Sequence, residues 1–451
     1  MKGGTEGSVS QDLQPVAGTP RLLEGLRARM SLESNAIWTD RMLEALGNGV
    51  KGRKWYSLMD KVWNPTHLQL GAWQVIRNGG APGVDHRSCE ILEKELQSEV
   101  KLLERRLREG TYQPQAVKRV WIEKPGRPEK RPLGIPTVRD RVVQATLRNV
   151  IEPIYEAEFV EHSYGFRPGR GATQALERVE TLLHEGYTWV VDADIQGYFD
   201  NIPQDRLMSL LRQRISDGGV LALIEAFLTQ GVMESGRGWQ PTTKGTPQGA
   251  VLSPLLANVY LHPLDLLAQS QGWRMTRYAD DFIVQCSSRE EAEQALNQIR
   301  VWMEAAGLTL HPEKTRIVDA TTPGGFDFLG WHFERGQKWP RDKSLARFKE
   351  TLREETPRNS GLSLDAIIER LNRRLRGWYR YFQGGVKFVY DRLDRWLRGR
   401  LRSILRRRAG RKGRGRGRDH QRYPNAYFAK HKLISLYASA CGERTSPAVC
   451  G

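Results

Sequence analysis

Two adjacent carboxylates, Asp280 and Asp281, sit between short apolar runs in Met275-Thr276-Arg277-Tyr278-Ala279-Asp280-Asp281-Phe282-Ile283-Val284. The pattern predicts a β-hairpin with the acidic pair at its tip. Like charges side by side repel unless a cation neutralises them, and a pair of divalent ions is the usual solution in nucleotidyl transfer. A solvated acidic turn is the plain alternative. A second acidic segment weighs against it: Trp189-Val190-Val191-Asp192-Ala193-Asp194-Ile195-Gln196-Gly197-Tyr198-Phe199-Asp200 begins as an apolar strand and ends in carboxylates. A strand that brings Asp194 to the hairpin carrying Asp280 and Asp281 assembles a cage of hard oxygen donors. Such a cage suits two Mg²⁺ ions, with Mn²⁺ as a substitute. Among Asp192, Asp194 and Asp200, one or two are expected simply to cap the helix that follows.

Charge and length agree with such chemistry. The 451 residues suffice for two or three domains, and 70 Lys+Arg against 52 Asp+Glu leave a net charge of +18, which calls for a polyanionic partner. A membrane partner is not expected, because no apolar run approaches the ~20 residues a span requires. Cys89, Cys286, Cys441 and Cys450 are too scattered for a zinc site or a disulfide framework. A reduced, cytoplasmic setting follows, with nucleoid association an open possibility. Cys286 is expected to be a small buried residue on the strand leaving the acidic turn.

Six motifs occur in order: Arg131-Pro132-Leu133-Gly134-Ile135-Pro136, Tyr164-Gly165-Phe166-Arg167-Pro168-Gly169, the Asp194 strand, Gly245-Thr246-Pro247-Gln248-Gly249, Tyr278 to Asp281, and Phe328-Leu329-Gly330-Trp331. In this order they resemble the reverse transcriptase domain of group II intron-encoded proteins, over roughly residues 40 to 435. The resemblance implies an α+β right-hand polymerase, with an antiparallel palm sheet, helical fingers and an all-α thumb, also called the maturase domain. It implies Asp194, Asp280 and Asp281 as catalytic metal ligands, with the Ile195 backbone as a further one. Lys124, Arg131, Phe199, Gln248 and Lys314 become the candidate nucleotide contacts. Lys124 and Arg131 lie on a hairpin broken by Pro125-Gly126-Arg127-Pro128, where cations offset the charge of a departing pyrophosphate. Phe199 is expected on the strand side, beneath the sugar of the incoming nucleotide, and Gln248 carries an amide able to meet both a sugar hydroxyl and a base edge.

Periodicity supplies the rest of the layout. Leu308-Thr309-Leu310, Arg316-Ile317-Val318 and Phe326 to Phe333 are predicted strands. Two amphipathic helices follow, marked by Ile368, Leu371, Leu375, Trp378 and Phe382, then by Val389, Leu393, Trp396 and Leu401. About 20 bases stand against 3 acids between residues 370 and 422. That excess predicts a salt-sensitive phosphate-binding face, for which Arg373, Arg374, Arg376, Arg380, Arg398, Arg406, Arg407 and Arg408 are the candidates. Arg411 to Arg418, alternating with Gly, is predicted to stay flexible until it meets RNA.

The expected domains are a tail at 1–20, fingers and palm with an N-terminal extension at 21–345, a thumb at 346–436 and a tail at 437–451. The resemblance implies RNA-directed DNA synthesis on an RNA template with a DNA primer and dNTPs. It also implies binding of group II intron RNA in splicing and mobility, with target DNA as a further partner. No histidine-asparagine-histidine nuclease segment follows the thumb, so the DNA endonuclease of some relatives is not expected. A relative serving DNA repair or phage defence, or a protein acting mainly as an RNA-binding splicing factor, would carry the same motifs.

Overall fold

The computed structural model describes residues 24–442 apart from residues 26, 51, 53, 124–129 and 416. In chain order the strands are β1 (Val117–Glu123), β2 (Lys130–Ile135), β3 (Trp189–Asp194), β4 (Val232–Glu234), β5 (Gly238–Gln240), β6 (Arg274–Tyr278), β7 (Asp281–Cys286), β8 (Arg316–Asp319), β9 (Phe326–Phe328), β10 (Trp331–Glu334) and β11 (Gln337–Pro340). Helices separate and follow them, so the class is α+β. The chain divides into one unit of residues 1–171, 196–267 and 303–309 and another of 172–195, 268–302 and 310–451.

The first unit holds a four-stranded sheet in the order β2-β1-β4-β5. β1 and β2 form an antiparallel hairpin, and β4 joins β1 in parallel at Val117↔Val232 and Lys118↔Met233. In the same unit the Val138–Glu156 helix packs against the Pro65–Asn78 helix and is buried along nearly its whole length. A helix so enclosed must satisfy its polar side chains internally. Asp140 accepts from Tyr112 Oη, the Gln115 amide and Thr137 Oγ1, while Gln144 Oε1 accepts from the Val251 amide at 2.9 Å. Gln144 thereby anchors the loop that follows Gly245-Thr246-Pro247-Gln248-Gly249.

In the second unit, β6-β7-β3-β8 form an antiparallel sheet and β11-β10-β9 a smaller one. Val190, Val191, Phe282, Ile283, Val284 and Cys286 are fully enclosed, so the central strands β3 and β7 are covered on both faces. Two predicted strands differ here. Leu308-Thr309-Leu310 contributes a single bridge, Leu310 to Ile195, because Gly307 takes φ +68° and the backbone turns at once into His311. Phe326 to Phe333 is not one strand either. Leu329 and Gly330 both take positive φ and fold the segment into the β9–β10 hairpin, Phe328 opposite Trp331.

The C-terminal helices Asp342–Glu355, Leu364–Phe382 and Lys387–Arg408 pack their apolar stripes together. Leu352, Ile367, Leu371, Leu375, Leu397, Leu401 and Ile404 form the core, each worth about 1.5–3 kcal/mol of burial. The Leu436–Ala440 helix closes this core with Leu436, capped by Asp394, which accepts from Ser435 Oγ and the Leu436 and Tyr437 amides.

Part of the Arg-Gly run contacts the neighbouring helix. Gly415 lies on the Lys387–Arg408 helix, its amide donating to Ser403 Oγ, and a Cβ there would stand 2.7 Å from Arg402 Cβ. Arg406 reaches across to the Lys412 carbonyl and to the buried Asp419. Glycine at 415 lets the backbone approach the helix closely.

Candidate active site

Antiparallel pairing sets the acidic cluster. In β3 and β7 the register places Asp194 directly opposite Asp281, and in β6 and β7 Tyr278 faces Asp281 across the two-residue turn Ala279-Asp280. The predicted hairpin and its acidic tip are therefore present. Asp192 and Asp194, two residues apart, share one face of β3. Neither caps a helix: the short helix Tyr198–Asn201 has Gly197 at its N-cap without a side-chain bond, and Asp200 lies inside it.

On the other side of β3, the chain around β8 brings two cations into matching positions. Lys314 Nζ donates to Asp194 Oδ2, and Arg316 Nε donates to Asp192 Oδ2 at 3.3 Å. Lys314, a candidate nucleotide contact, here donates to a carboxylate. Arg316 was not foreseen. The signal for Arg316 was partly legible, since it opens the strand predicted at Arg316-Ile317-Val318 and pairs with Asp192 on the neighbouring strand.

Burial works against the charges. The Asp281 carboxyl is pushed up to about 7, first by desolvation and then by Asp192, Asp280 and Asp194, with Arg341 opposing. Asp192 is raised to about 6 by desolvation against the pull of Arg316. These donors are all hard oxygens carrying more negative charge than the nearby cations neutralise, which fits divalent ions of the magnesium type. Among the described residues no three acidic, His or Cys side chains are already gathered about one point. Asp194 is turned toward Lys314, so loading would have to displace that ammonium.

The nucleotide candidates of the first unit form a set of their own. Arg131 Nε donates to Gln248 Oε1 at 2.8 Å, and Gln248 Nε2 donates to Asp200 Oδ2 at 2.8 Å. Asp200 went unrecognised as the partner that fixes which way the Gln248 amide points. The Gly134 amide donates to the Gln248 carbonyl, which ties this loop to β2. Phe199 sits on the Tyr198–Asn201 helix rather than on a strand, because Gly197 at φ +55° turns the chain after Gln196. It is nearly enclosed and meets the half-exposed Phe166 edge-on at 6.4 Å. Lys124 and the loop of Arg127 lie outside the described residues.

Of the eight thumb arginines, all but Arg398 and Arg406 are exposed. Four nonetheless have internal partners. Arg374 pairs with Glu355 at 3.0 Å, Arg398 lies largely buried near Asp394, Arg406 pairs with Asp419 at 2.6 Å, and Arg408 donates to the Ser360 and Leu362 carbonyls. Those internal bonds position helices and leave less of each guanidinium for phosphate.

Comparison with known proteins agrees with this layout. The model of the reverse transcriptase (RNA-dependent DNA polymerase) family matches residues 122–333, and that of the group II intron, maturase-specific domain matches residues 345–423. Protein YkfC of Escherichia coli (strain K12) is 32% identical over 352 residues, covering 69% of this chain and 91% of that protein. The chain belongs to the reverse transcriptases that carry a group II intron maturase domain. Another member, the group II intron-encoded protein LtrA of Lactococcus lactis subsp. cremoris, is 43% identical over 171 residues, 38% of this chain and 28% of LtrA. An uncharacterized 91 kDa protein in the cob intron of Schizosaccharomyces pombe is 30% identical over 353 residues, 65% of this chain and 41% of that one. The chain thus matches less than half the length of these last two. Among the described residues, no helix of this reverse transcriptase is long and apolar enough to cross a membrane.

Proposed function

We propose that this chain copies RNA into DNA at the cluster of Asp194, Asp280 and Asp281, and that its helical region binds structured intron RNA. The observation that carries the proposal is the β3–β7 register, which sets Asp194 against Asp281 at the ends of two neighbouring strands. Two Mg²⁺ ions bound there would lower the pKa of a primer 3′-hydroxyl and neutralise the leaving pyrophosphate. In the reaction a phosphodiester bond forms at the α-phosphate of a dNTP as pyrophosphate departs. The chain's own part is to hold Asp194 and Asp281 on adjacent strands with Asp280 in the turn between β6 and β7, and to keep Asp194 and Asp192 ordered through Lys314 and Arg316. A dNTP is the proposed ligand of Arg131 and Gln248, whose fixed pairing presents a guanidinium beside an oriented amide.

Primer extension on an RNA template tests the proposal. Asp194→Asn and Asp281→Asn should each abolish DNA synthesis and leave RNA binding within about threefold, since phosphate contacts set affinity. Extension within tenfold of the parent would overturn it. A second reading, that RNA binding is the main role, is favoured by the exposed Arg373, Arg376, Arg380 and Arg407. It requires that Asp281→Asn still promote splicing of a bound intron RNA.

A further inference from the structure

Arg277 stands one residue before Tyr278-Ala279-Asp280-Asp281, on β6, opposite Phe282. Its side chain is fully buried, 0% exposed, which is rare for arginine. Enclosing a guanidinium costs several kcal/mol unless its donors are met, so a buried arginine marks a place where its hydrogen bonds matter. One of them is to the turn itself: Nη1 donates to the Ala279 carbonyl at 2.9 Å. Ala279 is not a comfortable residue for this turn. It takes φ +59°, a left-handed conformation that costs a residue bearing a Cβ roughly 1–2 kcal/mol. Strain of this kind persists only where the surroundings over-determine it.

The bonded atom is telling. The Ala279 carbonyl belongs to the peptide group that links Ala279 to Asp280, so fixing that oxygen fixes the plane from which Asp280 departs. Across the turn, Tyr278 pairs with Asp281, so the same clamp borders both carboxylates. A lysine would carry the charge but not the planar fork that holds a carbonyl from a set direction. Arg274, at the other end of β6, is a useful contrast. It lies over the Tyr187 ring at 4.9 Å and donates to Tyr187 Oη, remote from the turn along the strand.

We propose that Arg277 is a positioning residue for the metal-binding turn: by clamping the Ala279–Asp280 peptide from beneath, it sets the direction in which Asp280 and Asp281 are offered to divalent ions. The inference rests on the acidic cluster being the metal site, as proposed above. Outer partners of this sort alter metal affinity or activity by about 10–100-fold when removed.

The test uses the full chain with Arg277→Gln, Arg277→Lys, Arg274→Gln and Asp281→Asn. Mn²⁺ binding to the protein without nucleic acid is followed by electron paramagnetic resonance, alongside thermal melting and primer extension over a Mg²⁺ titration. Arg277→Gln and Arg277→Lys should each bind Mn²⁺ about tenfold more weakly and need correspondingly more Mg²⁺ for half-maximal rate, with KM for dNTP little changed. Arg274→Gln should melt lower yet bind Mn²⁺ as the parent does. If a folded Arg277→Gln or Arg277→Lys retains parental Mn²⁺ affinity while Asp281→Asn loses it, the positioning role is wrong and the site stands. Should Asp281→Asn also keep parental affinity, the site itself is misassigned. If neither Arg277 variant folds, the residue serves stability and the proposal fails.

Discussion

Asp281→Asn should make the metal-free protein more stable at pH 8 while destroying its activity. In the folded chain the carboxyl of Asp281 titrates at about 7, against 3.8 for a free aspartate. Ionising it at pH 8 therefore costs the fold about 4 kcal/mol at most, taking 1.36 kcal/mol for each tenfold step. The sign follows from linkage: a carboxyl whose folded pKa lies above its unfolded one binds its proton more tightly when folded. Its contribution is then greatest at low pH and declines as pH rises from about 4 to about 7, after which it is flat. Asparagine never ionises and escapes the decline. Melting curves in EDTA at pH 8 should place the variant higher by several degrees, at roughly 2 °C per kcal/mol for a large domain. At pH 4 the two should nearly coincide. Primer extension should fall by about three decades in the same preparation. A variant that melts below the parent at pH 8, or one that extends primers within tenfold of it, would refute the reasoning.

The thumb offers a separation. Replacing Arg373, Arg376 and Arg380 together by Gln should reduce the slope of log affinity for structured RNA against log salt by about two to three, with melting unchanged. Arg406→Ala, by contrast, removes the closer of two cations at the buried Asp419 and should lower the melting temperature. Phe199→Val should retain dNTP incorporation and gain measurable rNTP incorporation; if rNTPs remain rejected, Phe199 is a core residue packed on Phe166. Gly249→Ala places a Cβ 2.7 Å from the Gly134 carbonyl at φ +106°, so it should raise KM for dNTP by moving Gln248 and lower stability by at least about 1–2 kcal/mol.

Much of the acidic site was legible in the sequence because strand pairing obeys a period of two. Apolar alternation fixed the hairpin at Asp280-Asp281, and the same rule could have matched Arg316 to Asp192, whereas Lys314 reaches Asp194 from the turn before β8. What periodicity does not carry is the effect of a single glycine or a sparse turn. Gly197 moved Phe199 off the strand, Gly330 folded Phe326 to Phe333 into a hairpin, and Gly415 lets its backbone approach the Lys387–Arg408 helix. Arginine content marks the helical region as basic but not what each arginine meets. Arg398, Arg406 and Arg408 meet Asp394, Asp419 and the 360–362 carbonyls, partners up to 48 residues away that composition alone cannot pair with them.

The pairs Lys314–Asp194 and Arg316–Asp192 bear on the order of events in making this protein. They are counter-ions supplied by the chain itself, so β3 does not have to wait for an external cation before it can be enclosed between β7 and β8. On the proposed metal site, folding and loading should thereby be separate events, unlike in small zinc domains, where metal binding and folding are one event. The nascent protein should reach its shape where free magnesium is scarce, and chelation should be a reversible insult that leaves the sheet intact.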